Sequence, residues 1–143
     1  MISDSQIKEL IVAAAAAAEK AYAPYSGYAV GAALMDAEGE IHSGCNVENV
    51  SYGLSICAER NAVFQAIAAG ERDFVAIAIV ASSQIKPLPC GACRQVLTEF
   101  CGPEFELYIA SSEDPATYER HLLKDLLPHA FGGETCPLPI SQC

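Results

Sequence analysis

The order of helix and strand patterns in this sequence predicts a three-layer α/β fold, in which helices cover both faces of a mixed sheet. Two observations lead to this prediction. The patterns run helix, hairpin, helix, strand, helix, strand, helix along the chain. The strand pattern in the middle is the continuous apolar run VAIAIVA, which is typical of a strand buried on both faces. The sequence has no internal repeat and no linker rich in Gly, Ser or Pro, so we interpret residues 1–143 as a single domain.

Local signals place the individual elements. Ser3 and Gln6 form a capping box before an alanine-rich helix, and Pro24 follows the end of that helix. The turn-like stretch DAEG separates the two strands of a hairpin. Pro89 introduces a later helix, and Gly102 closes it. The predicted elements are a helix at about 4–21, strands at 28–35 and 40–47, a helix at 57–70, a strand at 75–81, a helix at about 90–100, a strand at 106–110 and a short helix at 118–128.

Composition and charge limit the class of protein. The chain is 52% apolar and 18% charged, which is the composition of a globular protein. Its formal net charge of −10 argues against DNA, tRNA or an acidic membrane surface as a partner. The apolar run at 11–18 is too short to span a bilayer, and no cationic segment precedes it as in a secretory signal. We therefore expect a cytoplasmic protein whose seven cysteines are thiols or metal ligands.

Three cysteines stand at the starts of two predicted helices. Cys90 and Cys93, in PCGAC, are three residues apart and so share one face of a helix. Cys57 begins the other helix, in ICAER. Unpaired N–H groups and the helix dipole favour a thiolate at such a position. If the two helix ends meet at one end of the sheet, three thiolates and one open position make a catalytic zinc site.

Glu59 stands two residues after Cys57, close enough to act on whatever the metal binds. The spacing turns it away from ligating the ion alongside Cys57. A carboxylate in that place can take a proton from a water that the metal activates and pass it to a substrate. Cys-Ala-Glu followed by Pro-Cys-Gly-Ala-Cys is also the order found in zinc deaminases, in which the Glu is not a ligand.

Five segments together resemble those of one family: AYAPYSGYAVGAAL, GCNVENVSYGL, ICAERNAVFQAI, PCGACRQVLTEF and LLPHAF. The chain resembles the cytidine deaminase family, specifically its small homotetrameric form with three cysteine ligands. The resemblance implies a five-stranded mixed sheet, one zinc ion per chain and a homotetramer whose neighbouring chains complete each site. It also implies hydrolytic deamination of cytidine and 2′-deoxycytidine to uridine and 2′-deoxyuridine, a reaction of pyrimidine salvage that releases ammonia.

The resemblance also implies roles for individual residues. The implied zinc site consists of the ligands Cys57, Cys90 and Cys93, the proton shuttle Glu59 and the charge-withdrawing Arg60. The implied substrate contacts are Asn46 and Glu48 with the ribose hydroxyls, Tyr28 and Ala58 in the pocket, the Leu88 carbonyl with the amino group, and Phe131 of a neighbouring chain with the pyrimidine. Tyr28 stands where the family usually has phenylalanine, so its additional hydroxyl needs a partner if it is buried. Arg94, directly after Cys93, is a second candidate to donate to a thiolate.

Other interpretations of the same residues stay open at this point. Cys90 and Cys93 alone suit a thioredoxin-like dithiol. With Cys45 or Cys101 as a fourth ligand, the three cysteines would form a structural zinc site in a non-catalytic module. A related deaminase acts on a cytosine nucleoside antibiotic of the blasticidin type, although the ribose-contacting pair favours an ordinary nucleoside. The net charge of −10 and the absence of a basic stripe argue against a nucleic-acid deaminase.

Overall fold

The computed structural model describes residues 1–132, which form one five-stranded sheet between helices. The elements are α1 (Asp4–Ala18), β1 (Val30–Asp36), β2 (Ile41–Cys45), a 3₁₀ turn (Tyr52–Leu54), α2 (Ala58–Ala69), β3 (Phe74–Ala81), α3 (Gly91–Phe100), β4 (Glu106–Ser111), β5 (Asp114–Leu122) and α4 (Leu123–Leu126). Cys136 and Cys143, to which the sequence assigns no role, lie outside the described residues.

The sheet is mixed, as the sequence predicts. The strand order is β2-β1-β3-β4-β5, and β2 and β5 are its edges. β3 and β4 pair in parallel, whereas the other three neighbouring pairs are antiparallel. A parallel pair needs a crossover connection, and α3 provides it between β3 and β4. The predicted hairpin of β1 and β2 is confirmed.

Successive side chains of the central strands enter two separate cores. In β3, Ile77 and Ile79 belong to the core shared with α2 and α3, whereas Ala78 and Val80 belong to the core shared with α1. All four are fully buried. A strand covered by helices on both faces has no solvent side, which explains why the run is apolar at every position from Ala76 to Ala81.

The predicted helix at 118–128 is wrong over most of its length. Asp114–Leu122 forms β5, antiparallel to β4, and only Leu123–Leu126 is helical. Arg120 on β5 makes an ion pair and a second hydrogen bond with Glu106 of β4. Such cross-strand contacts override the helical spacing of the leucines, because strand formation depends on a partner that is distant in sequence.

The remaining helix boundaries agree with the predictions to within a few residues. The capping box of Ser3 and Gln6 is present, but α1 ends at Ala18. Gly70 closes α2 in a left-handed conformation with φ of 102°. α3 ends at Phe100, and its C-cap Cys101 is extended, one residue before the predicted glycine stop. None of the helices in residues 1–132 has both the length and the apolar character needed to cross a membrane.

A close approach between β2 and α2 fixes the start of α2. A Cβ atom at Gly44 would lie 2.7 Å from the carbonyl oxygen of Ala58 and would also overlap the backbone nitrogen of Ala62. Asn61 adds a hydrogen bond from Nδ2 to the carbonyl oxygen of Cys45, at 2.8 Å. The first turn of α2 is therefore held against the end of the edge strand.

Candidate metal centre and adjoining cavity

Two helices begin at the same end of the sheet. Val30, at the start of β1, pairs with Ala81 at the end of β3, and the next residue of β1 pairs with Cys45 at the end of β2. Beyond these strand ends lie Cys57 and Cys90, the N-cap residues of α2 and α3. Neither side chain caps its own helix, so both thiols are available to a ligand. The positive ends of two helix dipoles thus meet beside two of the predicted zinc ligands.

The three predicted ligands come together. The Sγ atom of Cys90 lies 3.9 Å from that of Cys57 and 3.6 Å from that of Cys93. All three are free thiols. Zinc–sulfur bonds of about 2.3 Å in a tetrahedron place neighbouring sulfurs about 3.8 Å apart, so the observed spacing fits zinc. Within residues 1–132 the cluster has three soft sulfur donors and no fourth protein ligand. This is the arrangement of a catalytic rather than a closed structural site.

Arg60 acts on this cluster from α2. Its Nη2 atom donates a hydrogen bond to the Cys57 sulfur at 3.4 Å. A hydrogen bond from Cys93 and the guanidinium of Arg60 lower the pKa of Cys57, although its burial works in the opposite direction. Cys57 therefore favours the thiolate, which is the form that binds a metal. The same contact with Cys57, together with burial, raises the pKa of Cys93, so Cys57 loses its proton first.

Glu59 is a carboxyl group that the fold removes from water. It lies in the first turn of α2 and is 5% exposed. Burial raises the pKa of Glu59 to about 7, and the negative charge on Cys57 adds to the increase. The carboxyl group thus stands next to the thiols in a site with little solvent.

A cavity of about 510 Å³ opens beside the thiols. Five predicted substrate contacts line it together with Glu59: Tyr28, Asn46, Glu48, Ala58 and Leu88. Cys57 and Cys90 reach it as well, whereas Cys93 is fully buried. Phe131 lies outside this cavity and is 63% exposed. The fold therefore brings the three predicted zinc ligands, Glu59 and these five substrate contacts together, but not Phe131.

Asn46 and Glu48 are held in place by the backbone around residue 28. The Asn46 side chain donates from Nδ2 to the carbonyl oxygen of Tyr28 and accepts at Oδ1 from the Val30 N–H, both at 2.8 Å. Glu48 accepts at Oε1 from the N–H groups of Tyr25 and Ser26, at 3.0 and 3.1 Å. Partial burial raises the pKa of Glu48, but these hydrogen bonds outweigh it and lower the pKa, so the group is a carboxylate at neutral pH.

The sequence did not reveal every residue of the cavity wall. Ser26, Lys86 and Pro87 also line it, and no role was predicted for them. Ser26 lies in a segment that resembles the family, which was the available signal for it. Lys86 and Pro87 stand in the connection between β3 and α3, whose path depends on tertiary contacts.

The expectation that Arg94 donates to a thiolate is wrong. Its Nε donates to the carbonyl oxygen of Pro89 at 2.8 Å, and its Nη1 donates to that of Leu126 at 2.7 Å. Gln95, the next residue of α3, donates from Nε2 to the carbonyl oxygen of Phe131 at 2.7 Å. α3 thus holds the segment that carries Phe131 as well as two of the cysteines.

Comparison with known proteins agrees with this geometry. The family model described as the cytidine and deoxycytidylate deaminase zinc-binding region matches residues 4–108, a range that contains all three cysteines of the cluster. A cytidine deaminase of Sporosarcina psychrophila is 43% identical over 128 residues, which are 90% of this chain and 93% of that protein. A cytidine deaminase of Halalkalibacterium halodurans is 46% identical over 125 residues, which are 87% of this chain and 93% of that protein.

Solved structures show the same likeness. The crystal structure of cytidine deaminase from Burkholderia pseudomallei matches with a TM-score of 0.82 at 48% identity, and the match covers 91% of this chain and 100% of that chain. The likeness thus extends over almost the whole length of both proteins. The chain therefore belongs to the cytidine and deoxycytidylate deaminase family.

Proposed function

We propose that this protein is a zinc-dependent cytidine deaminase, which converts cytidine and 2′-deoxycytidine to uridine and 2′-deoxyuridine and releases ammonia. One observation carries the proposal. Three thiols at zinc-binding distances adjoin a cavity that also contains the buried Glu59 and the Asn46–Glu48 pair. The two curated relatives described above are named cytidine deaminases, which supports this substrate. The reaction belongs to pyrimidine salvage.

The metal would be held by Cys57, Cys90 and Cys93, with one zinc ion per chain. When bound, zinc lowers the pKa of a coordinated water to about 7 and so supplies a hydroxide nucleophile at neutral pH. Arg60 withdraws negative charge from the Cys57 sulfur through its hydrogen bond. A third thiol 3.9 Å from Cys90 favours this site over a two-cysteine redox centre.

Glu59 moves the protons. It accepts one from the attacking water and delivers it to N3 of the cytosine ring as the C–O bond forms at C4. It then takes the remaining proton from the new hydroxyl on C4 and passes it to the amino nitrogen. The C–N bond breaks as the C4 carbonyl forms, and ammonia leaves. Burial keeps competing water away from the carboxyl group while it does so.

The cavity wall orients the nucleoside. Asn46 retains one N–H of its amide, and Glu48 retains its Oε2 atom, for the ribose hydroxyls. The Leu88 carbonyl accepts from the amino group of the base, while Ala58 and the ring of Tyr28 line the pocket around it. Both backbone bonds of Glu48 fall on Oε1, which supports this assignment.

We further propose a cytoplasmic homotetramer of single-domain chains, each spanning residues 1–143. The exposed apolar side chains Tyr52, Leu54 and Phe131 support the assembly, since each is more than half exposed in one chain. Phe131 is assigned to the site of a neighbouring chain, because it lies outside the cavity of its own. The five cysteines in residues 1–132 are free thiols, which supports a reducing compartment.

The direct test is turnover by purified, zinc-loaded protein. We expect the loss of cytidine absorbance to be accompanied by equal amounts of uridine and ammonia, and removal of zinc with a chelator to stop both. A blasticidin-type nucleoside is offered in a parallel assay. Protein that carries one zinc per chain and turns over only the antibiotic, or neither compound, contradicts the proposal.

A further inference from the structure

A hydrogen bond from Tyr28 connects two walls of the cavity. Its hydroxyl donates to the carbonyl oxygen of Ile85, at 3.3 Å and 57 positions further along the chain. The half-buried ring of Tyr28 packs against the core shared with α2 and α3. Both residues line the cavity. The bond therefore joins the part of the cavity that is anchored in the core to the part formed by the connection after β3.

This connection, residues 82–88, is here called the wall loop. Its first residues are anchored, because the Ser111 hydroxyl donates to the carbonyl oxygen of Ser83 at 2.6 Å. Pro87, near its other end, is buried. Between these two anchors Ile85 is 74% exposed. The middle of the wall loop thus has little apolar packing to define its position.

Within residues 1–132, two polar contacts join the middle of the wall loop to distant elements. One is the bond from Tyr28 to Ile85, and the other is the ion pair of Lys86 Nζ with Glu119 Oε1 at 3.1 Å. Glu119 is exposed, and exposed ion pairs contribute little to holding a structure. The ring of Tyr28 is held by its packing against the core, whereas both members of the ion pair are flexible charged side chains, so the Tyr28 contact is the stronger constraint.

The Tyr28 hydroxyl carries the proton that its hydrogen bond to Ile85 requires. Burial, with the negative charge of Glu59, raises the pKa of Tyr28, so the group stays protonated at neutral pH. The Ser83 hydroxyl lies in the same small network, since it donates to the carbonyl oxygen of Ile85 at 3.4 Å. The wall loop then leads to Leu88, whose carbonyl receives the amino group of the base in the proposed function.

We propose that the Tyr28 hydroxyl is a positioning group that sets the width of the cavity at its reacting end by holding the wall loop through Ile85. The inference rests on the proposed function, because the reacting end is defined by it. Only the hydroxyl has this role, so a phenylalanine ring in the same place would leave the core packing unchanged and release the wall loop.

The first measurement is hydrogen exchange of the backbone amides of residues 82–88 in Tyr28→Phe and in Tyr118→Phe. The second variant removes a tyrosine hydroxyl from the opposite face of the sheet, where Tyr118 packs against the α1 core, and serves as the matched control. We expect faster exchange in the wall loop for Tyr28→Phe alone, with unchanged zinc content and unchanged exchange in α2 and α3.

The second measurement compares cytidine with N4-methylcytidine, whose amino group carries an added methyl. If the wall loop sets the cavity width, Tyr28→Phe accepts the larger amino group better relative to cytidine. We expect the ratio of kcat/KM for N4-methylcytidine to that for cytidine to rise by about 2- to 12-fold, the equivalent of one neutral hydrogen bond. The change is expected mainly in KM, and Tyr118→Phe should leave the ratio unchanged.

The outcomes separate this inference from the proposed function. Zinc-loaded wild-type protein that fails to deaminate cytidine overturns the proposed function, and the positioning role with it. Active wild-type protein with unchanged wall-loop exchange in Tyr28→Phe overturns the positioning role alone. Faster exchange with an unchanged substrate ratio also overturns it, because the wall loop would then move without affecting the reacting end.

Discussion

At the scale of single residues, the fold buries a carboxyl group next to a cluster of thiols. Glu59 is 5% exposed, although glutamate is almost never buried without a partner. Burying a carboxyl group opposes its ionisation, and the fold retains the group at this cost. A buried carboxyl group with a raised pKa is expected in an active site, where the group must exchange a proton with a substrate.

Replacing Glu59 separates proton transfer from metal binding. We expect Glu59→Gln to lower kcat for cytidine by about 10²- to 10⁴-fold, since it removes the proton shuttle and keeps the size of the side chain. Zinc content, measured by atomic absorption, should stay at one per chain. Cys57→Ser is the matched control and should lose zinc as well as activity. Near-normal turnover by Glu59→Gln would assign the proton transfer to another group.

At the scale of elements, the position of α2 determines whether the site forms. Gly44 on β2 allows α2 to approach, and Gly31 on β1 allows α1 to approach the other face of the sheet. In both cases a Cβ atom would overlap helix backbone, which cannot move away as a flexible side chain can. The two glycines are thus equivalent in packing but differ in distance from the cysteines.

This pair of glycines tests the link between packing and metal binding. We expect Gly44→Ala and Gly31→Ala each to lower the free energy of unfolding by about 1–3 kcal/mol, the usual cost of overpacking. Gly44→Ala should also weaken zinc binding, because it displaces the turn that carries Cys57, whereas Gly31→Ala should not. Urea unfolding and competition with a zinc-binding dye measure the two effects. Equal zinc affinity in both variants would show that α2 can shift without disturbing the cluster.

The β1–β2 hairpin contains a second buried carboxylate, Asp36, which is 2% exposed. His42 Nε2 lies 2.7 Å from its Oδ2 atom, and the N–H of Glu40 donates to its Oδ1 atom at 2.8 Å. Burial raises the pKa of Asp36, but these hydrogen bonds outweigh burial and lower it. The carboxylate form thus stabilises the hairpin.

Acid should remove this contribution. A lowered pKa in the folded protein means that the unfolded chain binds the proton first. The contribution is therefore complete above the ordinary carboxyl pKa of about 4 and is lost as the pH falls through the lower folded value. We expect Asp36→Asn to lower the free energy of unfolding by about 1–3 kcal/mol at pH 7. The free energy of unfolding of this variant should also fall less than that of the wild type as the pH becomes acidic. Urea unfolding across acidic pH, with the exposed Glu38→Gln as control, measures both. An acid decline identical to that of the wild type would contradict the assignment.

At the scale of the whole molecule, the described chain lacks one predicted part of its site. Phe131 lies outside the cavity, and Gln95 of α3 fixes its backbone. A homotetramer would supply Phe131 from a neighbouring chain. The apolar side chains exposed around the 3₁₀ turn, such as Tyr52 and Leu54, are candidates for the interface.

Mixed oligomers distinguish a shared site from a site within one chain. We expect Glu59→Gln and Phe131→Ala proteins to be weakly active alone and to regain activity when they are co-assembled. Random assortment places an intact Glu59 and a neighbour's intact Phe131 in about one site in four. If Phe131 acts within its own chain, no combination restores a complete site. Native mass measurement should give four chains in the active species.

Much of the fold and of the metal centre could be read from local signals. The order of helix and strand patterns predicted the three layers of the fold. The apolar central strand predicted helices on both faces of the sheet, because a strand that is covered on both faces is apolar throughout. Cys57, Cys90 and Cys93 were identifiable because each stands in the first turn of a helix, where spacing along the chain determines position. The helix predicted over β5 failed for the opposite reason, since Arg120 pairs with Glu106 across the sheet.

The sequence by itself determined the types of the chemical groups, the helix starts that carry them and the apolar strands that support them. Only the tertiary structure decided which groups meet. It placed Arg60 on a thiolate and Arg94 on carbonyl oxygens, although both directly follow a site residue. It also joined Tyr28 to Ile85, 57 positions away. Hydrogen bonds between distant segments depend on how strands pair and helices pack, and no local pattern encodes that arrangement.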